Sequence, residues 1–279
     1  MRLKTLAVAA GLLIALAAPA SAAAATTLIG SGSVAAEPVL RPLFAKYQKV
    51  SKGKVHFLYT ANGGNAGVAD VQSGRSQFAG QARPPLPSDA GTTYIKLYLD
   101  GLCIDVHPSN SVSNLSIPQI ADIYHAVTTN WSQVPGSGRN ETIHPYGRDT
   151  NGGTYTFFLQ GVLNNQAAAS NVTALTADGL VKNAVAGDPN GIGYFGLAWQ
   201  GKGVKSVSLN GVPCSAKNVK KLRYPLSRFI FLVLPTASAN RQVQKFADWV
   251  RTSPIAGKII SKSGGVPAFN RTSTKKKKK

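Results

Sequence analysis

The chain has 279 residues, 43% of them hydrophobic, enough for a sizeable core and for one or two domains. Its 31 Lys and Arg against 11 Asp and Glu give a formal net charge of +20, a field that attracts anions and anionic surfaces. With two glutamates (Glu37 and Glu141) and four scattered histidines (His56, His107, His125, His144), it offers no paired-carboxylate site and no metal-ligand spacing.

Residues 1–22 read as a signal peptide. Arg2 and Lys4 form a basic start, and Leu6 to Ala18 form an apolar run too short to span a membrane comfortably. Ala20-Ser21-Ala22 supplies small residues for cleavage after Ala22. The expectation is an exported, soluble protein, periplasmic or secreted. Without Arg2 and Lys4 the charge is +18, and without Lys275 to Lys279 it is +13, so the body is basic by itself. Residues 271–279 read as a basic disordered tail.

Short apolar strands then alternate with amphipathic helices, the pattern of an α/β fold. Leu28-Ile29 is a strand ending in Gly30-Ser31-Gly32-Ser33, and Val39, Leu40, Leu43, Phe44 and Tyr47 recur at helical spacing. A second strand, Lys54 to Tyr59, leads into the glycine-rich turn Thr60 to Gly67 and a short helix. Gln77 to Gly80 suggests a third strand, stopped by Arg83 to Pro87. Tyr94 to Pro108 reads as two extended segments turning near Asp100-Gly101.

In the middle third, Ser116 is a candidate N-cap with Pro118 in the first turn and Ile120, Ile123 and Tyr124 on one face. A strand near Ile143 to Tyr146 runs into Arg148 to Thr154 and an aromatic helix. Asp178 to Gly187 is a further helix, Gly191 to Trp199 a strand with glycine turns, and Arg228 to Leu234 the longest apolar strand. Helices around Gln242 to Val250 and Ile255 to Ile260 close the pattern. Cys103 and Cys214 suit an oxidising compartment, either as one disulfide or as two separate buried thiols. A bridge would stabilise the fold by about 4–5 kcal/mol in the chain-entropy model.

Three turns share one design of strand, Gly/Ser/Asn residues and helix: Gly30 to Val34, Thr60 to Asn65, and Arg148 to Thr154. At each junction the first amides have no intrahelical acceptor and the helix dipole favours negative charge. Glycine permits close approach, and the fork of Arg148 would suit a tetrahedral oxyanion. The same residues also read as ordinary caps, with Arg148 paired to Asp149. No Gly-x-Ser-x-Gly elbow occurs, so a secreted phosphatase-like hydrolase has little support and the chain reads as a non-enzyme.

Five stretches in order resemble the phosphate-binding protein family of bacterial phosphate ABC importers. They are "GSGSVAAEP", "IPQIADIYHAVTTNW", "GRDTNGGTYTFF", "DPNGIGYFGLAW" and "YPLSRFIFLVL", spanning about Gly30 to Leu234. The resemblance implies a two-lobed periplasmic binding protein of type II, each lobe a mixed sheet flanked by helices. Lobe I would comprise 26–100 plus 225–270 and lobe II 105–220, with hinges near Asp100 to Asp105 and Leu222 to Leu226. It implies capture of inorganic phosphate or a similar oxyanion for an ABC importer permease by a monomer that needs no cofactor.

Residue by residue, the resemblance places Arg148, Gly153 and Thr154 on ligand positions, with Gly152 where the family has serine. Ser33 or the Val34 amide would come from the first turn, and Asn62 or Gly63 from the second. The family aspartate that accepts the proton of hydrogen phosphate is replaced by Ala82, flanked by Gln81 and Arg83. Without that carboxylate, discrimination against sulfate should weaken. Arg83 would either point inward as an extra cation or remain solvated. The alternative reading is a basic surface or adhesion protein that binds anionic polymers on a degraded version of this scaffold.

Overall fold

The computed structural model describes residues 25–269, so the signal-peptide, cleavage and lysine-tail expectations lie outside the described residues. Its ten strands and eight helices make up the α/β class that the apolar patterning predicts. β1 (Thr26–Gly32), β2 (Val55–Thr60) and β3 (Phe78–Gln81) are short parallel strands joined by helices that return the chain across the sheet. The helix between β1 and β2 is α1 (Glu37–Val50), and that between β2 and β3 is α2 (Gly64–Gln72). α1 buries Val39, Leu40, Leu43, Phe44 and Tyr47, the face its spacing predicts.

β4 differs from the expectation of two segments with a turn. Thr92–Val106 is one strand of 15 residues, running straight through Asp100-Gly101. A hairpin needs both halves to pair with each other, whereas here each half has its own partner. Thr92 to Gly101 pairs with β10 (Ser227–Pro235), and Leu102 to Val106 pairs with β8 (Gly191–Gly196). Gly101 provides close approach, not a turn. A Cβ there would lie 2.7 Å from Val219 Cγ2 and 3.2 Å from Cys214 Sγ.

The second half of the chain contains β5 (Asn114–Leu115), α3 (Ile117–Tyr124), β6 (His144–Arg148), α4 (Gly153–Gly161), β7 (Thr173–Leu175) and α5 (Asp178–Gly187). After β8 come β9 (Lys205–Leu209) and α6 (Ala216–Lys220). α3 starts on a reciprocal cap in which the Ser116 hydroxyl accepts the Gln119 amide and the Gln119 side chain accepts the Ser116 amide. α7 (Arg241–Thr252) and α8 (Pro254–Lys262) return to the first half.

The sheet order is β2-β1-β3-β10-β4-β8-β6-β7, with β9 on β4 and β5 on β9. The fold is therefore α/β and two-lobed, with β4 running from one lobe into the other. One core gathers Leu28, Leu40, Phe44, Phe78, Ile230 and Phe246, and the other Ile104, Tyr124, Trp131, Phe158, Ile192 and Val207. Cys103 on β4 forms a disulfide with Cys214, with Cα atoms 5.6 Å apart, tying β4 to the segment before α6.

Candidate functional site

All three glycine turns meet at the boundary between the lobes. In the first, Gly32 has φ +118° and its amide donates to Asn62 Oδ1 at 2.9 Å, while its carbonyl accepts the Gly63 amide at 2.9 Å. Turns one and two are thus one hydrogen-bonded unit. The Ser33 amide is held by the Gly80 carbonyl at 2.8 Å, and its hydroxyl accepts the Ala36 amide at 3.2 Å. Beyond it, the amides of the buried Val34 and Ala35 have no protein acceptor among the described residues.

The second turn places Gly63 at φ +103°, and a Cβ there would overlap the Asn151 carbonyl of the third turn. That close approach is the reason for glycine at Gly63. Next to it, Asn65 clips the lobes together. Its amide donates to the Asn151 carbonyl at 3.0 Å, and its Nδ2 donates to the Thr150 carbonyl and to Thr156 Oγ1, both at 2.9 Å. The N-terminal ends of α2 and α4 therefore face one another. The amides of Gly64, Gly153 and Thr154, all buried residues, have no protein acceptor among the described residues. Gly152 is the cap residue, its own amide held by the Asp149 carbonyl at 3.1 Å.

Between these two helix ends stands the fully buried Gln81. A Cβ on Gly64 or on Gly153 would overlap its Oε1, and that oxygen accepts the Ala82 amide at 2.8 Å. The sequence treats Gln81 only as a neighbour of Ala82, yet its carboxamide is the group that enters the cradle. Ala82 points into the core of the first lobe.

Two guanidinium groups reach the cradle, and the sequence singles out one of them, Arg148, whose Nη2 would lie 3.1 Å from a Cβ on Gly152. Arg148 is buried and directed into the second lobe. Its Nη1 pairs with Asp178, its Nε donates to the Leu175 carbonyl at 3.1 Å and its Nη2 to the Thr176 carbonyl at 2.8 Å. Asp149, the neighbour expected as its partner, lies at 3.5 Å. Asp178, 30 residues along the chain, is a second and fully buried partner beside the expected Asp149, because a buried guanidinium takes the buried carboxylate that opposes it.

Arg228, at the start of β10, reaches across the boundary instead. Nη1 donates to Thr154 Oγ1 at 3.1 Å and Nε to Asp100 Oδ2 at 2.9 Å, while Nη2 lies 2.8 Å from the same oxygen without a hydrogen bond of its own. Burial pushes the Asp100 carboxyl up, against the pull of Arg228. The sequence did carry a signal for Arg228, in "YPLSRFIFLVL", but only as a strand marker.

The two remaining candidates have structural partners. The Asn62 carboxamide bridges the Gly32 amide and Asp70 Oδ2, the latter at 2.9 Å. Arg83 is neither solvated nor a free inward cation. It is 2% exposed, with Nη1 and Nη2 on the two Asp89 oxygens at 2.6 and 3.0 Å and Nε on Asn65 Oδ1 at 2.8 Å. Burial alone would raise the Asp89 carboxyl, but bonds from Arg83, Tyr94 and the Leu86 amide hold it below its ordinary value. Arg83 thereby braces Asn65, the interlobe clip. Among the described residues no group of three or more His, Cys, Asp or Glu side chains could hold a metal ion.

A two-lobed α/β chain with amides from both lobes turned on one point is the architecture of an extracytoplasmic binding protein, and the domain profile described as "PBP superfamily domain" matches residues 17–253. The chain belongs to the PBP superfamily. It is 28% identical over 258 residues to Protein SphX of Synechococcus elongatus, covering 85% of this chain and 76% of that one. It is 22% identical over 246 residues to the phosphate-binding protein PstS of Borreliella burgdorferi, covering 84% and 87% respectively. Among solved structures, one from Clostridium perfringens with bound phosphate superposes with a TM-score of 0.81 at 24% identity, covering 87% of this chain and 99% of that one. An ABC-type phosphate transport receptor from Vibrio cholerae gives 0.72 at 24% identity, covering 86% and 99%. These superpositions establish the two-lobed fold. The PstS relative is by its name a phosphate-binding protein.

Proposed function

We infer that this protein is an exported solute-binding protein that captures a tetrahedral oxyanion, inorganic phosphate first among them, between its lobes and presents it to an ABC importer. The observation that carries this reading is the set of amides on the buried residues Val34, Ala35, Gly64, Gly153 and Thr154, drawn from both lobes and lacking protein acceptors among the described residues, with Arg228 beside them. Buried N–H groups without acceptors are costly, about 1–3 kcal/mol each, and an anion at two helix N-termini satisfies them.

Lobe I would comprise 26–100 plus 225–270, lobe II 105–220, and β4 the hinge. Closure would replace the anion's hydration by these amides, and the Asn65 bonds to Asn151, Thr150 and Thr156 would hold the closed form that a permease recognises. Ser33, Asn62, Gly63, Gly152 and Arg148 then shape the cradle from behind, while Val34, Gly153, Thr154 and Arg228 face the guest. No chemical step is involved, and the reading includes a periplasmic or secreted location.

Gln81 sets the expected selectivity. A carboxylate beside the site would accept the proton of hydrogen phosphate and repel sulfate, whereas a carboxamide is neutral toward both. Calorimetry of the purified chain should show phosphate and sulfate binding within about tenfold of each other, roughly 1.4 kcal/mol. Gln81→Glu should leave phosphate within about threefold and weaken sulfate by roughly 30-fold, through like-charge repulsion near 2 kcal/mol. Absence of binding to both anions would end this reading in favour of anionic-polymer binding on the basic body, which salt-dependent retention on heparin would then show.

A further inference from the structure

Beside the cradle lies a cleft of about 510 Å³ whose chemistry is foreign to a bare inorganic ion. Tyr94, Phe157, Phe229 and Phe231 line it, with Lys96 and Arg228 as its cations. Three of those rings are half-buried, and Leu222 at its margin is 61% exposed. Phe231 packs edge-on against Tyr94 with centroids 5.5 Å apart, and Lys96 Nζ stands 4.5 Å above the Phe229 ring. A volume of this size falls in the usual range for organic ligands, about 300–1,000 Å³.

The cleft adjoins the cradle through the residues that build both. Phe157 is one helical turn beyond Gly153 on α4, Pro84 and Pro85 on its wall follow Gln81 by three and four residues, and Phe229 follows Arg228. Arg228 joins the two directly. Its Cζ lies 5.5 Å from the Phe157 ring centroid while its Nη1 holds Thr154 Oγ1 in the cradle. One guanidinium therefore serves an anion on one side and an aromatic wall on the other, and its Nη2, buried with no hydrogen bond of its own, still has donor capacity.

We propose that the ligand is a phosphate monoester carrying an aromatic or bulky apolar group, with the phosphate in the amide cradle and the organic group against Phe157, Phe229 and Phe231. This deepens the oxyanion-capture reading and rests on it. The loss of the family aspartate fits the same ligand. A doubly ionised monoester has no proton left for a carboxylate to accept, so the neutral Gln81 removes a repulsion that would otherwise exclude it.

Calorimetry of the full chain with inorganic phosphate and with phenyl phosphate separates the two readings. Phenyl phosphate should bind at least about tenfold more tightly than inorganic phosphate, since ring burial and stacking add to the same anion contacts. Phe229→Ala should weaken phenyl phosphate by about tenfold and leave inorganic phosphate within about twofold. Inorganic phosphate binding as tightly as the ester, or a Phe229→Ala variant that treats both as the wild type does, overturns the ester assignment while oxyanion capture stands. Binding of neither overturns both.

Discussion

Among the described residues three buried arginines each hold a buried aspartate, and besides Arg83–Asp89 there are two such pairs that do different work. Arg148 and Asp178 both belong to the second lobe, where the guanidinium also donates to two backbone carbonyls of the β7–α5 connection. Arg228 and Asp100 sit on β10 and β4, and this guanidinium continues to Thr154 at the N-terminus of α4. Asp100 also accepts the Leu197 amide at 3.0 Å, so the second pair has a contact with the other lobe through each partner. One pair consolidates a lobe, and the other is placed to register whether the lobes are together.

The strongest way to break this contrast is Arg148→Ala. It leaves Asp178 buried opposite no cation, and loss of one partner of such a pair costs about 3–5 kcal/mol of stability. A denaturant titration should show that loss. Replacing both partners, as Arg148→Met with Asp178→Leu, should recover most of the stability and leave phosphate affinity within about threefold. An affinity loss of tenfold or more in that folded double variant would return Arg148 to the ligand.

The outcome for Arg148 shows what a sequence makes legible and what it withholds. The Ser116 cap, the α1 face and the apolar β10 are local patterns, and each is realised where its residues stand. The glycine turns are legible too, because positive φ at Gly32 and Gly63 is a property of single residues. The direction of a long side chain is decided by whatever lies opposite it. Arg148 turns to a carboxylate 30 residues away, and Arg228 is joined to Asp100 across 128 residues. The Asp100-Gly101 pair misleads for the same reason, since a local hairpin signal yields when two distant strands pair with either side of it. Gln81 could not be read as the group entering the cradle, because only the opposed helix ends give its carboxamide a place.

Asp105, on the same hinge strand, sharpens the comparison by being a buried carboxylate with no arginine. Its oxygens accept from Ser206 Oγ at 2.7 Å and Gln200 Nε2 at 2.8 Å, and burial pushes its pKa up to about 6 despite those bonds. The native state then holds this proton longer than the unfolded chain does. Between about pH 4 and pH 6 folding retains the extra proton, so stability falls as pH rises through that window and levels off above it, by about 3 kcal/mol. Asp105→Asn should flatten the wild-type curve by that amount over the same window, which melting curves at pH 4, 5, 6 and 7 would resolve. A variant as pH-sensitive as the wild type would mean that Asp105 is already ionised in the native protein.

Arg228→Lys makes the smallest change and tests the other half of the contrast. A lysine keeps a positive charge beside Asp100, so the buried carboxylate is not abandoned and the fold should persist. It cannot reproduce a planar fork that holds Asp100, Thr154 and an anion at once. Loss of one charge-assisted hydrogen bond to the ligand is worth about 1.5–3 kcal/mol, and the retained charge offsets part of it, so phosphate affinity should fall by about tenfold. Because the same guanidinium links both lobes, the variant should also shift the free protein toward the open form, visible as a larger radius of gyration in solution scattering. The equivalent substitution in the other pair, Arg148→Lys, should alter stability alone. If the two lysine variants bind phosphate equally well, the cation of the cradle is not Arg228, and the division of labour between the two arginines fails.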